Sequence, residues 1–497
     1  MTVTDVLSYT DSQYIATNGL VYTLDSPSAG KATVQSYDNS SGSTITIPSN
    51  VSFEATIYEV IAVGSAAFQD KTVTSVTLPD TLLTIGDNAF LSSQLASIHI
   101  PASVTSMGSA PFRASTLSTI TVDASNTHFA VKEDILYELF TEDNTAIIRS
   151  ATNVSGSSVY INIVIKNGVT YSVTGTYADG AALMFLNKTH VIIGDNVTSI
   201  AEDAFIEASG VNKVSFGFGI TSINCRFNQG CNLQQVVIGG NVTSIGSNVF
   251  ANTTLSKVII PANVTTIGSG AFTGYTGSVF FHGDYHATLF SNNAFSGANT
   301  AYYLSYKSGW TSVPTGFTSM ALLNELTTRD NGHKYDPQNV NYSISGSTAS
   351  FDWNNTLSEL PHHLLLPTYF IFNDISYNLT SFGNQLQTNS SVYSLTVDEG
   401  ITQAGVFSFL GSSNMSFISL PSTMSSMGPI DFTDCPFKSM VFPNGNNNFK
   451  IYNNGLYNIS TSPYAFKYVI DKTVTSINIA SDVSGVTITK IDRFPFS

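Results

Sequence analysis

Charge is scarce in this 497-residue chain. Lys and Arg number 19, Asp and Glu 34, and together they make up 11% of the residues, against the ~25% usual in soluble domains. The net charge of −15 and the lack of any Lys/Arg cluster argue against a nucleic-acid partner, because nothing is present to displace phosphate counterions. Cysteine is scarcer still. Three residues, Cys225, Cys231 and Cys435, cannot build a disulfide framework. Cys225 and Cys231 are close enough in sequence to pair, or else serve as small buried core residues. No run of ~18 apolar residues occurs, so no membrane insertion is expected.

The motifs of chemistry are missing too. There is no Gly-x-Ser-x-Gly, no P-loop and no Gly-x-Gly-x-x-Gly at a strand–helix junction. The scattered acids suggest no particular carboxylate pair. HGDYH (His282–His286) spaces two histidines four apart, but it falls at a strand end and lacks the glutamate of a zinc helix. His362 and His363 lie between Pro361 and a leucine run, where a turn before a strand is expected. Neither an enzyme nor a cofactor or metal is expected. The opening MTVTDVLSYTDSQ has neither the basic nor the apolar region of a secretory signal, and no lipidation or sortase-like motif closes the sequence. Either a leader has been removed or the protein reaches its place by another route, such as assembly into a virus particle.

What is present is repetition. VTSIGSNVF (Val242–Phe250) returns as VTTIGSGAF (Val264–Phe272), and LLTIGDNAF (Leu82–Phe90) as VTSMGSAPF (Val104–Phe112), each pair twenty-two residues apart. A period of about 20–29 residues with an apolar strand signature marks a leucine-rich solenoid. Sandwich strands with regular turns are the alternative, but they do not repeat Gly, Ala and Phe in register. Each unit begins with a strand whose apolar positions are 0, +3 and +5, as in Leu95/Ile98/Ile100 and Leu255/Val258/Ile260. Alternation along a strand sends +3 and +5 inward and +2 and +4 outward. A turn follows at Pro79-Asp80, Pro101-Ala102 or Pro261-Ala262, where proline suits a corner. A second short strand leads to Gly-x-x-Ala-Phe. There the glycine is expected to permit the bend, and Phe90, Phe112, Phe205, Phe250 and Phe272 to stack as an aromatic spine. One unit buries too little to offset the entropy of ordering it, whereas stacked units bury a continuous core.

The phrase Ile-Pro-x-x-Val-Thr-x-Ile-Gly-x-x-Ala-Phe resembles the BspA-type leucine-rich repeat family, named for a bacterial surface adhesin. Val21–Phe68 is similar to the family's β-rich opening segment running into a first repeat. NTHFAVKEDILYE (Asn126–Glu138) and NNNFKIYNNGLYN (Asn446–Asn458) are similar to its hairpin insertion. AYYLSYKSGWTSVP (Ala301–Pro314) resembles its closing segment, in which a Trp covers the last coil. Cys231 and Cys435, shortly after Phe227 and Phe432, fall where the family often carries cysteine. The resemblance implies a mainly β, right-handed leucine-rich-repeat solenoid in two arrays with β-rich caps and hairpin insertions. It also implies a place among adhesins and host-interaction proteins.

The expected organisation is a first array over residues 1–320, a polar linker over 321–340, and a shorter second array over 341–497. The first array carries an opening cap at 12–60, an insertion at about 126–190 with the array resuming at Val191, and a closing cap at 299–314. FIFNDISYNLTSFG, from Phe370, corresponds to VSFEATIYEVIAVG, from Val51. Met and Phe replace Ile in the second array, and its coils are expected to be less regular. Ile488, Ile491, Phe494 and Phe496 form a last coil with no capping segment after it in this sequence, so either self-association through that end is expected or the sequence is a fragment whose next repeats are missing.

Such an array works through its surface. Outward positions +2 read Ser75, Ser97, Thr119, Lys213, Gln235 and Lys257; positions +4 read Thr77, His99, Thr121, Ser215, Val237 and Ile259. The first coils show a hydroxyl ladder. Among the later ones Lys213, Gln235, Val237, Lys257 and Ile259 form the expected binding patch, apolar β-branched residues beside cationic side chains. The competing explanation is that β-branched residues simply favour strands. The function expected is a non-enzymatic adhesion or protein-interaction solenoid at a cell or virion surface, with a protein or glycan ligand. The alternative is a structural component of a virion or filament.

Overall fold

In the computed structural model of the chain, every assigned element among the described residues is a β-strand. The structure describes residues 4–491 apart from isolated positions and the segments 153–155, 177–182, 184–187, 329–333, 352–362, 383–391, 409–414, 432–438, 461–464 and 470–481. His362, Phe432, Cys435, Phe494 and Phe496 thus lie outside the described residues, as does the side chain of Ile491.

Short strands of successive coils stack in parallel ladders, as the repeat requires. Thr44–Thr46, Ser75–Thr77, Ser97–Ile100 and Thr119–Val122 form one ladder, with Ile98 opposite Ile120. Their +3 residues Val76, Ile98 and Ile120 are buried. The proline corners are hydrogen-bonded turns, Val104 N–H donating to Pro101 O (3.3 Å) and Val264 N–H to Pro261 O (3.2 Å). The second strands stack likewise, Thr84–Ile85 on Ser106–Met107 and Ser222–Ile223 on Ser244–Ile245 on Thr266–Ile267.

The repeated glycine does something other than bend the chain. None of Gly86, Gly108, Gly246 and Gly268 has positive φ. A Cβ on Gly268 would lie 2.6 Å from Ser247 N and 2.7 Å from the carbonyl carbon of Gly246, and one on Gly86 equally close to Ser65 N and Gly64 C. Glycine is required because coils touch backbone to backbone at this corner. The bend follows two residues later, where Ala66, Asn88, Ala110, Asn248 and Gly270 take φ of 58°, 52°, 46°, 58° and 66°. It recurs four residues on, at Asp70, Ser92, Ala114, Asn252 and Gly274. The segment between these left-handed residues directs alternate N–H groups to the next coil: Asn88 to Ser109 O (2.8 Å), Phe90 to Pro111 O (2.7 Å) and Ser92 to Arg113 O (2.9 Å).

The aromatic spine is present. Phe68, Phe90 and Phe112 stack at 5.1 and 5.6 Å. Phe205, Phe227, Phe250, Phe272 and Phe295 stack at 4.7, 5.5, 5.1 and 4.7 Å. Cys225 is buried and Cys231 half-buried, and both thiols are free.

At the N-terminal end the run from Thr4 to Thr10 pairs first with Asn50–Phe53 and then with Gln13–Ile15, closing the opening sheet on itself. Its hairpin turn, Glu54-Ala55, has both residues at positive φ, and so has the corresponding Asn373-Asp374. That geometry is a two-residue hairpin turn whose twist matches its strands, and it bears out the correspondence of the two segments.

The insertion after Val122 is a five-stranded sheet, and the two hairpin motifs share one anchor. Asn126 donates to Pro101 O (2.8 Å) and Val104 O (2.9 Å) while its Oδ1 accepts from His128 and Phe129 N–H. Asn446 repeats this with Pro421 O, Met424 O, and Asn448 and Phe449 N–H. Arg149 then fills the space beneath the interrupted glycine column, donating to Met107 O and to Gly108 O (2.6 Å). The ladder resumes earlier than Val191: Gly156–Ile161 already pairs with Lys188–Ile193, because Val159 and Ile161 point inward and are buried.

At the far end of the first array Trp310 packs on Phe281 (4.9 Å), Tyr285 (5.2 Å) and Tyr303 (5.3 Å), and its Nε1 donates to Gly283 O (3.0 Å). Phe317–Leu322 then adds a further parallel strand. Within 321–340, expected to be a polar linker, Leu323, Leu326, Asp336, Gln338 and Val340 are buried. Gln338 bonds both ways with Leu365, Nε2 to Leu365 O and Leu365 N–H to Oε1, each 2.8 Å. A separate core of Leu364, Leu366, Leu395, Val397, Ile418 and Met440 fills the second set of coils.

Candidate functional site

The outward strand columns begin as a polar ladder and change character along the solenoid. Thr44, Thr46, Thr77, Ser97, His99, Thr119 and Thr121 are exposed and Ser75 half-exposed. They form two columns over four coils, and none of them is an Asp, Glu, Lys or Arg. His99 Nδ1 and Thr121 Oγ1 lie 2.9 Å apart in hydrogen-bond contact. Neighbouring strands fix the rung spacing at ~4.8 Å.

The expected patch on the later coils is placed differently. Lys213 is 2% exposed, Val237 5% and Ile259 7%, while Gln235 and Lys257 are half-buried. The register brings Lys213 beside Gln235 and Ser215 beside Val237. These residues do share a face, but it is not open to solvent. The second array lies across it, and Ile259, Phe280 and Leu304 of the first, with Leu323 just after it, form one apolar cluster with Leu365 of the second. The patch as an exposed surface is therefore corrected: its apolar members serve an internal contact. A signal was available in the +4 column, which runs Val237, Ile259, Phe280, Tyr302 without a polar interruption.

Polar groups fasten the same contact. Tyr306 Oη donates to Asp398 Oδ2 (2.5 Å), Ser305 Oγ and Tyr369 Oη bond at 2.9 Å, and Asn324 Nδ2 donates to Tyr369 O (3.2 Å). Lys257 Nζ sits 4.9 Å from the centroid of the Phe280 ring. Burial draws the Lys257 ammonium below its usual range, and nearby Asp336 opposes that shift. Asp336 is itself buried, which pushes its carboxyl up to about 7 despite bonds from Val340 N–H and Gln338. Burial likewise draws Lys213 well below the usual lysine range.

Where the two arrays do not close fully, a cleft of about 130 Å³ remains. Val237, Ile259, Leu365 and Phe417 form its apolar wall, and His282 and Asp398 are among its polar members. The HGDYH residues are thus divided between tasks. His282 is buried against the cleft, and burial draws its imidazole down to about 3. Asp284 accepts from Ser308 N–H (2.5 Å) and Oγ (3.0 Å) of a neighbouring coil.

The sequence matches the description BspA type Leucine rich repeat region in 6 copies, over residues 33–133, 61–166, 181–302 and 368–462. A search of curated proteins finds no match. Among solved structures, a leucine rich cell surface protein from Faecalibacterium prausnitzii is 16% identical over 63% of this chain and 95% of that one, with a TM-score of 0.30. The pneumococcal vaccine antigen PcpA is 15% identical over 63% and 95%, with a TM-score of 0.34. A leucine-rich repeat protein from Bacteroides ovatus is 14% identical over 83% and 89%, with a TM-score of 0.35.

Proposed function

Since the chain belongs to the BspA-type leucine-rich repeat family, we propose that it is a non-enzymatic, surface-displayed adhesion or interaction solenoid. Its contact face in this reading is the outward strand face of the first coils, from Thr44 to Thr121. One observation carries the choice: the second array covers the apolar outward column of the later coils at Ile259 and Phe280, and the hydroxyl columns of the first coils stay exposed. A solenoid's extended face is its ordinary binding surface. Rigid strands hold these side chains in place, so little ordering remains to oppose binding.

The chemistry of the face suits a neutral glycan. Each hydroxyl both donates and accepts, matching sugar hydroxyls. With so few charges involved, binding should be nearly insensitive to salt. The family's spread over surface adhesins and host-interaction proteins supports the surface location. The test is a panel of neutral polysaccharides and glycans in a pull-down and on an array, against the parent and the variant Thr77→Lys/Thr119→Lys. Capture by the parent that the double variant loses, with circular dichroism unchanged, is expected. A variant that binds as well as the parent removes this face from the mechanism.

A further inference from the structure

The cleft between the two arrays is distinct from the hydroxyl face, and its polar groups are not equally engaged. Glu399 on its rim is saturated: Oε1 accepts from Ser422 N–H (2.9 Å) and Asn444 Nδ2 (3.0 Å), and Oε2 from Ser422 Oγ (2.8 Å) and Thr423 N–H (3.3 Å). It acts as a staple between coils. Asp398 is half used. Among the described residues, Oδ1 accepts only from Glu399 N–H (3.0 Å) and Oδ2 only from Tyr306 Oη. A carboxylate oxygen has two acceptor sites, so one remains on each oxygen of Asp398. Across the cleft wall, His282 is 8% exposed and its Nε2 has no hydrogen-bond partner among the described residues. A buried polar atom left unmatched costs stability unless an occupant satisfies it.

The geometry points to a recognition pocket for a single arginine side chain of a partner polypeptide. The two free acceptor sites, one per oxygen of one carboxylate, match the two parallel N–H bonds of a guanidinium fork. Val237, Ile259, Leu365 and Phe417 give the aliphatic stem an apolar wall. The volume admits one long side chain and no folded partner. Charge complementarity favours a cation over an anion, since Asp398 and Glu399 both line the cleft. Lys307, the cation whose charge reaches His282, is held over the Tyr306 ring, 5.6 Å from its centroid, and is not part of the wall.

The test uses the full chain and two probes, acetyl-Gly-Arg-Gly-amide and the same peptide with citrulline in place of arginine. Titrations are followed by calorimetry and by the ¹⁵N shift of the His282 imidazole. The arginine peptide should saturate and move the His282 signal, and the citrulline peptide should bind at least about tenfold more weakly. Asp398→Asn should lose a similar factor. Because that variant also alters the bond to Tyr306, Tyr306→Phe is the companion: it keeps the carboxylate and should keep the arginine peptide's affinity within about threefold. No saturable binding of the arginine peptide, equal binding of the citrulline peptide, or an unchanged affinity in Asp398→Asn would each overturn the assignment.

Discussion

At the scale of the residue, two kinds of position look alike in the sequence and differ in physics. The repeated glycine sits where adjacent coils meet backbone to backbone, and the residue two places on sits where the chain turns left-handed. Gly268→Ala should therefore destabilise through overpacking by about 1–3 kcal/mol, since its nearest neighbours, Ser247 N and Gly246 C, are main-chain atoms and cannot rotate away. Ala66 is the converse case. It is exposed, with φ of 58°, a conformation costing a non-glycine residue roughly 1 kcal/mol. Equivalent positions carry Asn88, Asn248 and Gly270. Ala66→Asn should recover part of that cost, raising the thermal midpoint while Gly268→Ala lowers it. Both shifts can be read from one set of calorimetric melts. Had glycine been selected here to permit a bend, Gly268→Ala would behave like any mild turn substitution.

At the scale of the element, the coil was legible because each copy meets a copy of itself. A position that must touch its own equivalent in the next turn repeats its chemistry, so the Gly column, the Phe column and the proline corner all stand out in the sequence. Phe250 shows the energetic side. It is fully buried between Phe227 and Phe272, and Phe250→Ala should cost on the order of 3–5 kcal/mol. Denaturant unfolding should show a lower midpoint in the coils around it, and hydrogen exchange should show the loss concentrated near residues 227–272. The hairpin insertions were legible as motifs but not as mechanism. Asn126 and Asn446 are two asparagines among many in an Asn-rich chain, and nothing local shows that their amides clamp the preceding coil. The Asn-x-x-Phe spacing shared by both insertions was the available signal. The early return of the ladder at Gly156 was hidden for a different reason: an alternating apolar run such as VYINIVI suits a hairpin as well as a coil.

At the scale of the whole molecule, sequence reasoning fails where one part of the chain covers another. Val237 and Ile259 occupy outward positions by repeat register, and they become interior where Leu365, more than a hundred residues on, packs with Ile259 and shares the cleft wall with both. The same long-range contact creates a pH dependence. Asp336, in the stretch expected to be a solvated linker, is buried near Lys257 of the first array and within 3.3 Å of the Tyr342 hydroxyl. Its folded-state pKa of about 7 stands above the ordinary 3.8, so folding favours the protonated acid. That contribution is complete below about pH 3.8 and is lost as pH rises through about 7, a swing on the order of 4 kcal/mol. Most proteins lose stability toward acid as paired carboxylates protonate, and this group works against that trend. Buried His282 at the same junction acts in the opposite sense below about pH 6.5 but is common to both proteins, so relative to Asp336→Asn, which cannot ionise, the wild-type urea midpoint of the second array and its junction should fall between pH 5 and pH 8. The loss should come with greater hydrogen exchange at Gln338 and Leu365, whose paired bonds join the Asp336 loop to the neighbouring strand. A wild-type profile parallel to that of the variant would mean that Asp336 ionises without cost and that water reaches it in the folded chain.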